Sequence, residues 1–280
     1  DEEQDSEPIR MTGFEFEYAR EHPGLPAAET LGDVTARLVR VSGGWIAREG
    51  EGSLVRLGDL GAQGGATLYE SALKEAMRSV VLWFGERSVV GVLVTPDPAR
   101  GMLLDQDLII DFRQDVDNPT TAIPVRVYVP RVTSVTSIAS GDRIKTEDRL
   151  NSDKHSRIRE GSPLQPYGGE GRRRDLIDFS ALNAYAFAKS RHPGRQVDVA
   201  IANASDPNAV DEETGENPTL GDAEVQYLVQ EVKPWTIYFQ LSNTGTEETD
   251  EWRERFGLVH NQLFGFDDIF SLDYITSNFR

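Results

Sequence analysis

Trp235-Thr236-Ile237-Tyr238-Phe239-Gln240-Leu241-Ser242 alternates its side chains, and it opens the run to residue 280 that decides how this chain is read. A period of two puts Trp235, Ile237, Phe239 and Leu241 on one face of a strand and Thr236, Tyr238, Gln240 and Ser242 on the other. Two further strands follow, carrying Trp252, Phe256 and Leu258, then Phe270, Leu272 and Tyr274. Two readings fit the pattern. One is the wall of an outer-membrane barrel, with lipid on one side and a wet lumen on the other. The other is a half-buried antiparallel sheet of a soluble protein. Three strands cannot close a barrel, which takes at least about eight, so on the first reading the chain is a fragment that holds the barrel's opening.

The 280 residues have room for two or three domains. No apolar run approaches the roughly 20 residues of a transmembrane helix. The formal charge of −18 argues against general nucleic-acid binding, which needs a basic surface. Cysteine is absent, which removes disulfides, thiol nucleophiles and thiolate metal sites. Residues 1–7 read as a disordered acidic tail.

Upstream, residues 11–18 alternate Phe14, Phe16 and Tyr18 against Glu15 and Glu17, a strand that His22-Pro23-Gly24 breaks. Residues 38–41 and 45–47 flank Gly43-Gly44, a hairpin signal, and residues 54–57 add a short strand. Thr67 and Glu70 match a capping box. Tyr69, Leu73, Ala76, Val80 and Phe84 then recur at helical spacing, the stripe of a helix facing a core. Strands are expected over 89–95, 107–112 and 125–129. Val132, Val135 and Ile138 open a second block, and residues 142–171 read as a long irregular connection. A helix carries Phe179, Leu182, Tyr185 and Ala186 up to His192-Pro193-Gly194, the second tripeptide of that kind and a turn signal. Strands follow around Val197, Val199 and Ile201, and around Val225, Tyr227 and Val229, with a long acidic loop over 205–222 between them.

No catalytic constellation emerges, and neither a metal nor a cofactor is expected. His22, His155, His192 and His260 are scattered, without metal-ligand spacing. Gly61, Gly64 and Gly65 precede a helix but lack the strand and lysine of a phosphate loop. Asp211, Glu212 and Glu213 lack the alternating spacing of a calcium loop. Arg172-Arg173-Arg174 is the one basic cluster, read as solvating or neutralising its neighbours.

The ordered series Asn243-Thr244-Gly245-Thr246, Arg253-Glu254-Arg255-Phe256-Gly257 and Asn261-Gln262-Leu263-Phe264-Gly265-Phe266-Asp267-Asp268 resembles the first barrel strands of two-partner secretion transporters, the haemolysin/haemagglutinin activation and secretion family. The helix from Phe179 and His192-Pro193-Gly194-Arg195-Gln196-Val197 resemble that family's second POTRA (polypeptide-transport-associated) domain. The resemblance implies an α+β fold: two tandem POTRA-like domains of β-α-α-β-β type, then a short antiparallel meander that begins an outer-membrane barrel. Its implied bounds are 8–130 for an enlarged first POTRA-like domain, 131–234 for the second, and 235–280 for the first barrel strands.

The implied function is non-enzymatic protein secretion, with this part mainly periplasmic at the cell outer membrane. The domains would bind an unfolded secreted exoprotein and hand it to the barrel. The outer membrane would be met through the missing barrel. No nucleic-acid partner is expected, and exposed barrel strands could self-associate or pack as a meander on a POTRA domain. An extended client can add as a strand to a sheet edge. The candidate edge is Gln196, Val197, Asp198, Val199, Ala200, Ile201 and Ala202, with a proline at residue 198 or 200 as the expected block. The alternative from the same resemblance is the POTRA scaffold of a barrel-assembly machine. A soluble β-rich enzyme is the reading from outside it, and it would need a cleft joining several perturbed titratable groups.

Overall fold

The computed structural model describes residues 9–62, 64–97, 103–104, 110–111, 122–166, 175–206, 208–209, 217, 219–246, 248 and 251–277. The fold is mixed α+β, with several sheets and few helices. Two compact units form, each from three stretches: Asp1–Ser134, Leu164–Ser180 and Ala202–Glu224, then Val135–Pro163, Ala181–Ile201 and Val225–Arg280. The acidic tail, the triple-arginine cluster and the Asp211-Glu212-Glu213 run lie outside the described residues.

The first unit contains β1 (Ile9–Met11), β2 (Phe14–Tyr18), β3 (Thr35–Val41), β4 (Gly44–Ile46), β5 (Ser53–Arg56), β6 (Ala66–Leu68), α1 (Glu70–Gly85), β7 (Leu93–Pro96), β8 (Leu103–Leu104), β9 (Ile110–Asp111) and β10 (Ile123–Tyr128). One sheet runs β1-β6-β4-β3-β5 and another runs β2-β10-β7, with β10 parallel to β2 and antiparallel to β7. The Gly43-Gly44 hairpin forms as expected, Val41 facing Gly44. The α1 stripe is the core: Leu73, Ala76, Val80 and Phe84 are buried against Leu38, Leu68, Val125 and Val127. Burying Val80 and Phe84 stabilises the unit by about 2–3 kcal/mol each.

Two local expectations fail here. The strand over 11–18 is broken, because β1 pairs with β6 in one sheet while β2 pairs with β10 in the other. Thr67 caps nothing: it lies in β6 opposite Arg10, and the N-cap is Tyr69, without a side-chain cap bond. Strand pairing to a distant segment holds the backbone extended through buried Leu68 and delays the helix.

Of the four histidines, His22 lies in this unit, in a buried pair. Its Nδ1 accepts the Gly24 N–H at 2.9 Å, so Nε2 carries the proton and donates to Asp175 Oδ1 at 2.9 Å. The turn signal is thus also a packing element.

The second set of elements is β11 (Arg131–Gly141), α2 (Ser156–Glu160), α3 (Phe179–Ser190), β12 (Arg195–Asn203), β13 (Asp222–Glu231), β14 (Trp235–Ser242), β15 (Arg253–Asn261) and β16 (Ile269–Thr276). Their sheets run β11-β13-β12 and β14-β15-β16. On β13, Ala223, Val225, Tyr227, Val229 and Glu231 are buried in alternation. Tyr227 packs edge-on against Tyr185, and its hydroxyl meets Ser162 Oγ at 2.8 Å. The expected irregular connection over 142–171 is more ordered than its polarity implies. It holds α2 and two 3-10 turns, Thr146–Asp148 and Asp153–His155, anchored by buried His155, Ile158 and Leu164.

One connectivity recurs. In β2-β10-β7 and in β11-β13-β12, the first strand and the second take the edges and the third inserts between them, with helix before the second strand. The sequence carries no repeat that announces this.

Candidate functional site

β12 stands at one edge of the β11-β13-β12 sheet, so the residues singled out from the sequence, Gln196 to Ala202, do lie on an edge strand. Gln196 and Asp198 are exposed, Val197 is buried, and residues 199–202 are half-buried. A strand residue points its N–H and C=O to the same side. Val197 donates its N–H to Ser190 Oγ at 2.8 Å and accepts the Ser190 hydroxyl at 3.0 Å, so its backbone faces away from β13 and the end of α3 already occupies it. Ala204 donates to Asp222 O at 2.9 Å, which puts the even-numbered positions on the β13 side. On this alternation Val199 and Ile201 turn their backbone groups away from β13, as Val197 does. A proline at residue 198 or 200 would break the ladder within the sheet, so the expected block belongs at 199.

The centre of the β14-β15-β16 meander sorts its residues by face. Across one face lie Ile237, Leu258 and Leu272, then Phe239, Phe256 and Tyr274, each set in cross-strand register. That face is apolar yet open: Ile237 is 69% exposed, Phe239 57% and Leu272 60%. Among the described residues of its own unit nothing covers it, so the expected packing of the meander onto a POTRA domain does not form through this face. The opposite face is mainly polar, with Val259, Ile269 and Ile275 as its apolar members. Tyr238 donates its hydroxyl to Asp273, and Arg255 Nε donates to the same carboxylate at 2.9 Å. The Tyr238 ring lies over Gly257, where any Cβ would collide with it. Contiguous exposed apolar surface of this kind marks an interaction face.

A buried polar hub sits at the end of β13. Gly141 lets the end of β11 approach so closely that a Cβ there would strike the Glu231 carbonyl. Asp142 then donates its N–H to Glu231 O at 3.1 Å, which brings Arg143 beside the Glu231 carboxylate. Arg143 Nη1 donates to Glu231 Oε2 at 2.7 Å, His155 Nε2 donates to it at 3.2 Å, and Gln262 Nε2 donates to Oε1 at 3.2 Å. Arg143 also donates to Gln262 Oε1. Burial pushes the Glu231 carboxyl up, but the His155 hydrogen bond and the Arg143 charge outweigh it and leave it below its ordinary value.

The turn between β15 and β16 makes a second set of contacts. Asp267 pairs with Arg195 at 2.7 Å and Lys189 at 3.2 Å. Burial raises its carboxyl, and the two cations more than reverse that. Asp268 accepts the N–H groups of Phe264 at 3.2 Å and Phe266 at 3.1 Å. His192 and Asn261 touch the same region through Asp268 O and Pro193 O, both at 3.4 Å, so the second His-Pro-Gly is more than a turn signal. His260 lies on β15 opposite Trp235 and Phe270.

Among the described residues no group of three or more His, Asp or Glu is placed to hold a metal ion. Among the described residues no helix is long and apolar enough to cross a membrane, which says nothing of strands.

Residues 221–280 match the family model described as haemolysin secretion/activation protein ShlB/FhaC/HecB. This stretch carries that family's signature. The resemblance to two-partner secretion transporters is therefore borne out over residues 221–280, from β13 onward. Members of the family act with secreted exoproteins. Among solved structures, CdiB from Acinetobacter baumannii aligns over 96% of this chain and 38% of its own, at 12% identity and a TM-score of 0.43. CdiB from Escherichia coli aligns over 99% and 38%, at 13% identity and 0.43. BamA from Haemophilus ducreyi lacking POTRA domains 1-3 aligns over 72% and 30%, at 11% and 0.34. Likenesses this low decide nothing about the fold. The chain spans well under half the length of these proteins. No curated protein matches it.

Proposed function

We propose that the chain is the periplasmic part and the opening barrel strands of an outer-membrane transporter, which binds an unfolded exoprotein and passes it to the barrel. Residues 8–130 and 131–234 would be the two POTRA-like domains, and 235–280 the start of the barrel. The observation that carries this reading is the β14-β15-β16 sheet: one face apolar and open, the other polar and cross-linked, inside the segment that matches the family model. The order β11, α2, α3, β12, β13 is the β-α-α-β-β sequence of a POTRA domain and supports the second assignment. The recurrence of its connectivity in β2-β10-β7 supports the first, with the β1-β6-β4-β3-β5 sheet as the enlargement.

The client would extend the sheet at Val199 and Ile201, where backbone pairing tolerates any sequence. A photo-crosslinking residue at Val199 tests it in secreting cells. Adducts with one large exported protein are expected, lost when Val199→Pro removes the edge N–H. Adducts with many barrel proteins would point to the assembly scaffold, and equal adducts in the proline variant would remove β12 as the edge.

A further inference from the structure

Residues 262–268 form the turn from β15 to β16, and two of its non-glycine residues adopt left-handed backbone: Gln262 at φ 68° and Asp267 at φ 59°. Such conformations persist where surrounding structure over-determines them. The side chains of these same two residues are the ones that leave the turn. Gln262 enters the buried hub, bridging Glu231 and Arg143 and remaining only 8% exposed. Asp267 reaches Arg195, itself buried, and Lys189.

We infer that this turn is a two-point clasp that locks the β15-β16 hairpin to the β11-β13-β12 sheet and α3 as one rigid body. Each point has a prepared socket. At the first, Glu231 ends the core-facing row of β13, and Arg143 and His155 both bond its Oε2, which leaves Oε1 for Gln262. At the second, Arg195 donates Nε to the Lys189 carbonyl at 2.8 Å. This fixes its guanidinium at the junction of α3 and β12 before Nη1 meets Asp267. Asp268 stiffens the turn between the two points by accepting backbone N–H groups across it. The hairpin is thus held by polar side chains at two separated places, with the Arg157 guanidinium over the Phe266 ring at 3.8 Å and the His192 contact to Asp268 O alongside them, and the two-point hold resists both swing and twist. The consequence is mechanical: the β12 edge and the β15-β16 hairpin keep one fixed offset. The clasp stands on this geometry and is independent of what β12 binds.

The chain has no cysteine, so spin labels can be placed cleanly at Asn183→Cys on α3 and Ser271→Cys on β16, both exposed. The 280-residue chain in detergent micelles would be measured by pulsed dipolar spectroscopy. The variant pair is Gln262→Gly with Asp267→Gly. Glycine favours the left-handed backbone, so the turn keeps its path while both clasp points vanish. The expected result is one narrow distance distribution in the labelled parent, at least a twofold broadening in the double glycine variant, and intermediate widths in each single variant. An unchanged width in the double variant would overturn the clasp, as would a parent distribution already that broad. Unchanged far-UV dichroism is expected alongside the broadening; lost strand signal would show instead that the side chains serve folding of the turn.

Discussion

Replacing Glu231 with alanine tests the hub most sharply. The carboxylate is 3% exposed and receives hydrogen bonds from Arg143, His155 and Gln262. Removing it strands the Arg143 guanidinium with its charge largely uncompensated. Breaking a buried pair in this way costs about 3–5 kcal/mol. Gly141 adds to the penalty, because the close approach of β11 to β13 prevents the strands from separating to admit water freely. At roughly 4–8 °C per kcal/mol for a unit of about 100 residues, the melting midpoint should fall by about 12 °C or more. Glu231→Gln keeps a hydrogen-bonding group but loses the charge, and should cost less than half as much. Thermal unfolding followed by tryptophan fluorescence, with urea denaturation as a check on slope, provides the measurement. An alanine variant within about 0.5 kcal/mol of the parent, the level of an ordinary surface change, would refute the reasoning, because the hub would then be solvated and weakly coupled.

Other outcomes follow from the same geometry. Glu231 and Asp267 both have depressed carboxyl pKa values in the folded chain, so their contribution to stability is complete above the ordinary carboxylate range, about pH 4, and is lost as pH falls below it; urea midpoints taken between pH 7 and 3 should drop more steeply in the parent than in a Glu231→Gln, Asp267→Asn variant. Gly257→Val sets a side chain against the Tyr238 ring and should destabilise the meander by about 1–3 kcal/mol, seen as faster amide exchange across β14–β16 with β11–β13 unaffected. Ser190→Ala should open the Val197 amide to exchange and cost about 1 kcal/mol, while lengthening the free edge of β12 by one backbone pair.

Patterns with a local cause were readable in advance. Period-two alternation located β2, β10 and β12 to β16, the glycine pair located the β3-β4 hairpin, and the Leu73–Ala76–Val80–Phe84 stripe located α1. Signals overruled by distant pairing were not. Thr67 and Glu70 satisfy a capping box on paper, but β6 is claimed by β1 across more than fifty residues. α2 is a single turn and a half in polar sequence, with Ile158 as its one buried helical residue, too short to show a period. The obstruction of Val197 by Ser190 depends on where a helix ends relative to an edge, which no spacing encodes. Glu231 did leave a trace: a carboxylate at the next step of the alternating row Ala223, Val225, Tyr227 and Val229 occupies a core-facing position, and a core-facing charge demands partners. Gln262 and Asp267 left none beyond lying in the motif that resembled the transporter family.

On the proposed function, the Trp235, Ile237, Phe239, Leu241 face meets lipid while its reverse meets water. A spin-label accessibility scan over residues 235–242 and 269–276, with the protein embedded in a lipid bilayer, tests this directly, by comparing collisions with oxygen and with a water-soluble nickel chelate. A strict period of two is expected: oxygen favoured at residues 237, 239, 270 and 272, nickel favoured at 236, 240, 271 and 273. Nickel access at every position, or the same period with the faces exchanged, would contradict it.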